Sequence, residues 1–288
     1  MPEMFRGRAQ ALSFICLLAA FALLYGRLLV DVSRIWSADA NYSHGFLILP
    51  LVGYFVWERR VLLLATPVRQ SPVGLVLIVC SVGVLLIGTV GVEFFLMRTS
   101  ALGVVVGTIL FLAGWGWLRG LAFPLGLSLL MIPLPPVVFY QIAFPLQLLA
   151  TKFGVAILNL TRIPVLREGN VIALAHTTLE VTEACSGIRS LLSLLALAIL
   201  YGYFTTPKTF PRIVIALSSV PIAIVANGLR IAGTGISAQY VGPWAATGFF
   251  HTFSGWTVFM TSFVMLLAVG RLLNGASSLP AIRQPEPA

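Results

Sequence analysis

Charge is scarce in this chain. Only 9% of its 288 residues are Asp, Glu, Lys or Arg, where a soluble domain carries about a quarter. With 59% hydrophobic residues, this excludes a soluble globular protein and points to an integral membrane protein. Acidic residues are the rarest charges: nine against 18 Lys and Arg, a net charge of +9. No basic run is interleaved with aromatics, so nucleic acid is excluded as a partner. The surplus is that of cytoplasmic loops facing an anionic lipid bilayer. Cysteine is sparse too. Cys16, Cys80 and Cys185 form an odd, widely spaced set with no C-x-x-C pair, which leaves no disulfide framework and no zinc site. No metal or cofactor is expected. Internal repeats, low-complexity tracts and a second folded domain are also lacking.

Long apolar runs are abundant. A membrane span needs about 20 mostly apolar residues, and eight segments qualify at roughly 11–30, 44–57, 73–91, 99–118, 121–140, 184–204, 213–232 and 251–270. The basic start (Arg6, Arg8) and the run from Ala11 to Tyr25 lack a small-residue cleavage site, so the first is read as an uncleaved span. Pro124, Pro133, Pro135 and Pro136 interrupt the fifth, and the chain is expected to leave the membrane near Met131-Ile132-Pro133. Residues 141–160 read as an interfacial helix or half of a re-entrant pair. The segment 161–182 carries β-branched residues in weak alternation, the pattern of a short hairpin on the membrane surface. The fold class is therefore an all-α polytopic bundle of about eight transmembrane helices with a small extracytoplasmic β-like segment. One transmembrane domain, 1–276, is followed by a disordered cytoplasmic tail, 277–288. Arg59, Arg60, Arg69, Arg119, Lys208, Arg212 and Arg271 fall on one set of loops, which places that side and both termini in the cytoplasm.

Three chemistry-bearing residues stand at the ends of consecutive spans, all expected on the outer side. Cys185 opens the sixth span within E-A-C-S-G-I-R-S, residues 183–190. A helix N-terminus stabilises a thiolate there. Arg189 lies four residues on, Glu183 flanks the other side, and Ser186 with Gly187 keeps the approach to the sulfur narrow. The alternative for Cys185 is an inert helix–helix contact among small residues, which needs no charges. Arg230 ends the seventh span in N-G-L-R, one turn from Asn227. Such donors suit a developing oxyanion, whereas a lone terminal arginine would simply snorkel to the headgroups. His251 opens the eighth span in F-F-H-T-F-S-G. A thiol, a guanidinium and an imidazole delivered to one leaflet read as nucleophile, anion stabiliser and proton carrier. A second polar cluster precedes the second span: Asp39, Asn41, Tyr42, Ser43 and His44. His44 is a second base candidate or a substrate contact. Trp36 and Tyr42 otherwise belong to an interfacial aromatic belt.

With Y-S-H-G-F-L at 42–47, I-P-L-P at 132–135, the long motif at 183–190, N-G-L-R at 227–230 and the histidine of F-F-H-T-F-S-G at 249–255, the chain resembles the exosortase/archaeosortase family, particularly the bacterial exosortases. The resemblance implies a multi-pass enzyme of the bacterial inner membrane with its site facing the periplasm. It implies Cys185, Arg230 and His251 in the catalytic roles. It further implies membrane-anchored protein substrates bearing a C-terminal Pro-Glu-Pro-type signal, an apolar helix and a basic cluster, and an association with exopolysaccharide and biofilm matrix. Some relatives carry an extra soluble C-terminal domain, and here only a short tail follows the eighth span. The alternatives from the residues alone are a small-molecule transporter, a noncatalytic scaffold for polysaccharide assembly and a cysteine-dependent membrane acyltransferase.

Overall fold

The computed structural model describes residues 2–175, 177–181, 188–242, 244 and 248–274. The chain forms two compact units, Met1–Pro135 and Pro136–Ala288.

The first unit begins with the long helix α1 (Pro2–Ala38), followed by α2 (Gly45–Glu58), a short α3 (Arg60–Ala65), and the hairpin of α4 (Val73–Val90) and α5 (Phe94–Leu112). Glycine decides how closely the hairpin helices approach. A Cβ on Gly107 would lie 2.8 Å from Ile78 and 3.0 Å from the Gly74 carbonyl oxygen, and one on Gly74 would meet the Phe111 backbone. Without a hydrophobic drive between helices in lipid, small residues of this kind let van der Waals contact and backbone proximity do the work. The Glu93 carboxylate accepts from the Leu96 amide at 3.4 Å and caps α5. Tyr25 of α1 is fully buried beside Leu85 and Ala101, and its hydroxyl meets Ser100 Oγ at 3.1 Å.

The helix α5 starts five residues before the expected 99 and stops at Leu112, because Gly114 turns the chain at φ 87°. Arg98, which reads as a boundary in sequence, lies within the helix, its guanidinium 5.6 Å from the Phe94 ring centre. The expected fifth span is broken as its prolines dictate. A short α6 (Trp115–Gly120) precedes it, and the span itself becomes α7 (Ala122–Ser128), a 3-10 turn (Leu129–Met131), non-helical chain to Pro135 and the start of the next helix at Pro136.

The second unit opens with α8 (Pro136–Leu160), continues through three short strands, and ends with α9 (Ile188–Thr205), α10 (Thr209–Tyr240) and α11 (Gly248–Asn274). Residues 141–160 are thus the larger part of one 25-residue helix. It runs parallel to α10, with Ala150 and Phe153 against Gly228, Gly154 against Ile231 and Leu158 against Gly235. The expected hairpin is a three-stranded antiparallel meander: β1 (Leu166–Glu168), β2 (Val171–Ala173) and β3 (Thr178–Glu180). Gly169, at φ 63°, makes the two-residue turn between β1 and β2, where a positive φ is required. Ile172, Leu174 and Val181 share a buried core with Leu158, Ile231 and Ala238, which seats the sheet on α8 and the C-terminal half of α10.

Among the described residues six helices are long and apolar enough to cross a membrane: stretches of α1, α4, α5, α8, α10 and α11. The apolar helices at two further expected positions, Gly45–Glu58 and Arg189–Thr205, are shorter. The protein is an all-α multi-pass membrane protein with one small sheet.

Two glycines of α4 separate packing from propensity. A Cβ on Gly83 meets nothing within 4 Å, so Gly83→Ala should leave the thermal midpoint in detergent unchanged or raise it, a gain of up to about 1 kcal/mol. Gly74→Ala forces the helices apart at a cost of about 1–3 kcal/mol and should lower the midpoint by several degrees. Equal midpoints would contradict the glycine seam.

Candidate functional site

Prolines at 133, 135 and 136 prevent the 129–135 segment from closing its own helical hydrogen bonds. In an apolar setting each carbonyl left unpaired costs several kcal/mol. The first sequence cluster supplies the partners. Trp36 Nε1 donates to the Met131 carbonyl at 3.0 Å, and His44 Nε2 meets the Leu130 carbonyl at 3.1 Å; the Tyr42 hydroxyl oxygen in turn accepts from the Leu134 backbone amide. Gly45 has to be glycine here: a Cβ would sit 2.5 Å from the Trp36 ring. Two separated motifs, 42–47 and 132–135, are therefore halves of one joint. Trp36 and Tyr42 are only 7% and 8% exposed, so they are interior residues and not members of an aromatic belt.

The electrostatics of this joint follow from burial. A carbonyl can only accept, so Nε2 of His44 carries the proton. Burial lowers the His44 pKa from its usual 6.5, outweighing the Leu130 and Asn41 carbonyls, which favour the protonated ring. Burial likewise raises the Tyr42 pKa above 10.0, against the opposing effects of the Leu134 hydrogen bond and the nearby Arg98. Both side chains are neutral donors and acceptors near pH 7.

In the second unit, α10 carries the other site residues. Thr209 to Arg230 spans about 32 Å of helix axis, one hydrocarbon thickness. The turns beyond Arg230 pack under the sheet. Arg230 Nε donates to Ser254 Oγ of α11 at 3.1 Å. His251 stands one turn earlier in α11, in its described backbone, about 30 Å of helix from Arg271. The Arg230 turn of α10 and the start of α11 that holds His251 are thus joined by a side-chain hydrogen bond, and Arg230 does not end its helix as the sequence suggests, because α10 continues to Tyr240. Beside it lies a cavity of about 380 Å³ whose polar wall is Arg230, Thr234, Ser237, Ser254, Thr257 and Thr261. Asn227 is not part of that wall. It is 1% exposed, and neither its Nδ2 nor its Oδ1 has a partner among the described residues. An amide in that state costs about 1–3 kcal/mol until something meets it.

Cys185, Glu183 and Ser186 lie outside the described residues, as does the side chain of His251. Arg189 occupies the first turn of α9 and is exposed. Tyr42 and His44 belong to the first unit. The chain leading to Cys185 is anchored at its last described position. The Val181 carbonyl accepts from Gln147 Nε2 of α8 and from Asn170 Nδ2 at 3.2 Å, while the Val181 amide donates to the Asn170 carbonyl at 3.0 Å. Gln147 is 6% exposed. The sequence alone assigns Ser254, Gln147 and Asn170 no role at the site, because their partners lie 24, 34 and 11 positions away.

A sequence profile of the family described as transmembrane exosortase matches residues 36–268. No curated protein matches, and no solved structure matches.

Because the folded His44 pKa lies below the unfolded one, the unfolded chain binds the proton first. The stability from neutral His44 is complete above 6.5 and is lost as pH falls through that value toward the folded pKa. Thermal midpoints in detergent should fall between about pH 7 and about pH 5. His44→Gln, which keeps a donor for Leu130, should flatten that dependence. An unchanged slope would show that the Leu130 contact does not govern it.

Proposed function

The chain belongs to the transmembrane exosortases, a family with a membrane transpeptidase-type role, and on that footing we propose that it cleaves C-terminal sorting signals through a cysteine thioester. The site faces the periplasm at the outer surface of the inner membrane, and both termini are cytoplasmic. The substrate is a membrane-anchored protein with a Pro-Glu-Pro-type signal, an apolar helix and a basic cluster. Its own helix docks among the spans and brings the scissile bond to the interface.

The Cys185 thiolate attacks the scissile carbonyl carbon, forming a C–S bond and placing negative charge on the carbonyl oxygen. Arg230 holds that oxyanion, and Asn227, one turn away on α10 and outside the cavity wall, takes a supporting role. Collapse of the tetrahedral species breaks the C–N bond. His251, as imidazolium, gives its proton to the departing amine. The resulting thioester is resolved by water or by an amine acceptor, whose proton returns to His251. Glu183, Ser186 and Arg189 flank the sulfur and set its charge environment. Tyr42 and His44 take the role of substrate contacts. The link to exopolysaccharide and biofilm matrix export belongs to the same proposal.

The observation that carries this reading is the Arg230–Ser254 bond. It seats a guanidinium one hydrocarbon thickness along α10 and one helical turn from His251. An oxyanion donor and a proton carrier need such a shared location.

Cys185→Ala should abolish processing of a signal-bearing reporter, a loss of about 10³-fold or more, while the protein stays folded in the membrane. Arg230→Ala should cost about 10²–10³-fold. Mass spectrometry of a quenched reaction should find the reporter as a thioester on Cys185. Wild-type processing by Cys185→Ala would end the proposal.

A further inference from the structure

We infer that Ser254 is a positioning residue for Arg230 in the reaction proposed above, and the inference rests on that reading. Arginine is long and rotamer-rich, so its value to a developing charge depends on what fixes the guanidinium plane. Two features of α11 fix it. The Ser254 hydroxyl oxygen accepts the Nε–H at 3.1 Å, which orients the group at its stem. At the next residue, Gly255, the guanidinium lies against the α11 backbone: a Cβ there would make van der Waals contact with it, 3.5 Å from Nη2 and 3.7 Å from Cζ. Arg230 is half-buried and lies along the α11 backbone at the wall of the cavity.

The pairing also ties two parts of the site to each other. Ser254 and His251 are one turn apart on α11, and Arg230 is on α10. A bond from Arg230 to the turn that carries the proton donor sets the spacing between the charge that stabilises the oxyanion and the proton that releases the amine. Lysine has no Nε–H, so at position 230 it would lose this seat as well as the guanidinium fork.

The assay uses the full chain in vesicles with a reporter carrying a C-terminal Pro-Glu-Pro signal, an apolar helix and a basic cluster. Ser254→Ala should lower kcat about tenfold with KM unchanged, at a wild-type thermal midpoint. Ser254→Thr, which keeps the accepting hydroxyl, should return kcat to within about twofold. A wild-type kcat in Ser254→Ala would overturn the inference. So would an equal loss in Ser254→Thr, or a rise in KM with kcat intact. Cys185→Ala is run alongside. Normal processing by that variant refutes the enzyme reading, whereas an inactive Cys185→Ala beside an unimpaired Ser254→Ala refutes only the role of Ser254.

Discussion

A backbone carbonyl freed in an apolar interior has to find a donor, and much of this molecule follows from how that demand is met. Helices meet it internally. Where prolines break the helical ladder at 129–135, the Trp36 indole, the His44 imidazole and the Tyr42 phenol are drawn inward to the exposed backbone. Where the chain leaves the sheet at Val181, two amide side chains take the carbonyl between them. The polar residues with the clearest structural duties therefore cluster at breaks in secondary structure. Two of the sequence motifs, 42–47 and 132–135, lie at such a break.

The same economy governs helix contacts. Gly74 and Gly107 bring α4 onto α5, and Gly154, Gly228 and Gly235 bring α8 onto α10. Gly228 sits inside N-G-L-R, so the residue that lets α8 approach is flanked by Asn227 and followed two positions later by Arg230. Close packing on one side of α10 leaves the other side to carry the guanidinium toward α11. Structural and chemical requirements are thus met by alternate faces of a single helical turn.

Much of this was legible in the sequence. Apolar runs marked α1, α4, α10 and α11, and the prolines marked the break near Met131. What stayed hidden has a common cause. Arg98 reads as a helix boundary because its charge is visible and its packing against Phe94 is not. Ser254 and Gln147 look like ordinary polar residues, since their partners lie 24 and 34 positions away and leave no local pattern. Residues 141–160 read as interfacial because Gln147, Lys152 and Asn159 dilute the apolar run. Gln147 earns its place by bonding the strand exit. The candidate site residues stood out as residue types near the ends of apolar runs. The bond from Arg230 to Ser254 did not.

The grip on Val181 has a consequence for the thiol that follows it. Only Thr182, Glu183 and Ala184 separate Val181 from Cys185, and each of the Cα-to-Cα steps between them advances at most about 3.6 Å. The Cys185 Cα therefore cannot stand more than about 14 Å from a point held by three hydrogen bonds. Val181 is thereby a post driven into α8 for the segment that follows it, and one inserted residue would lengthen that tether without changing any residue of the motif at 183–190.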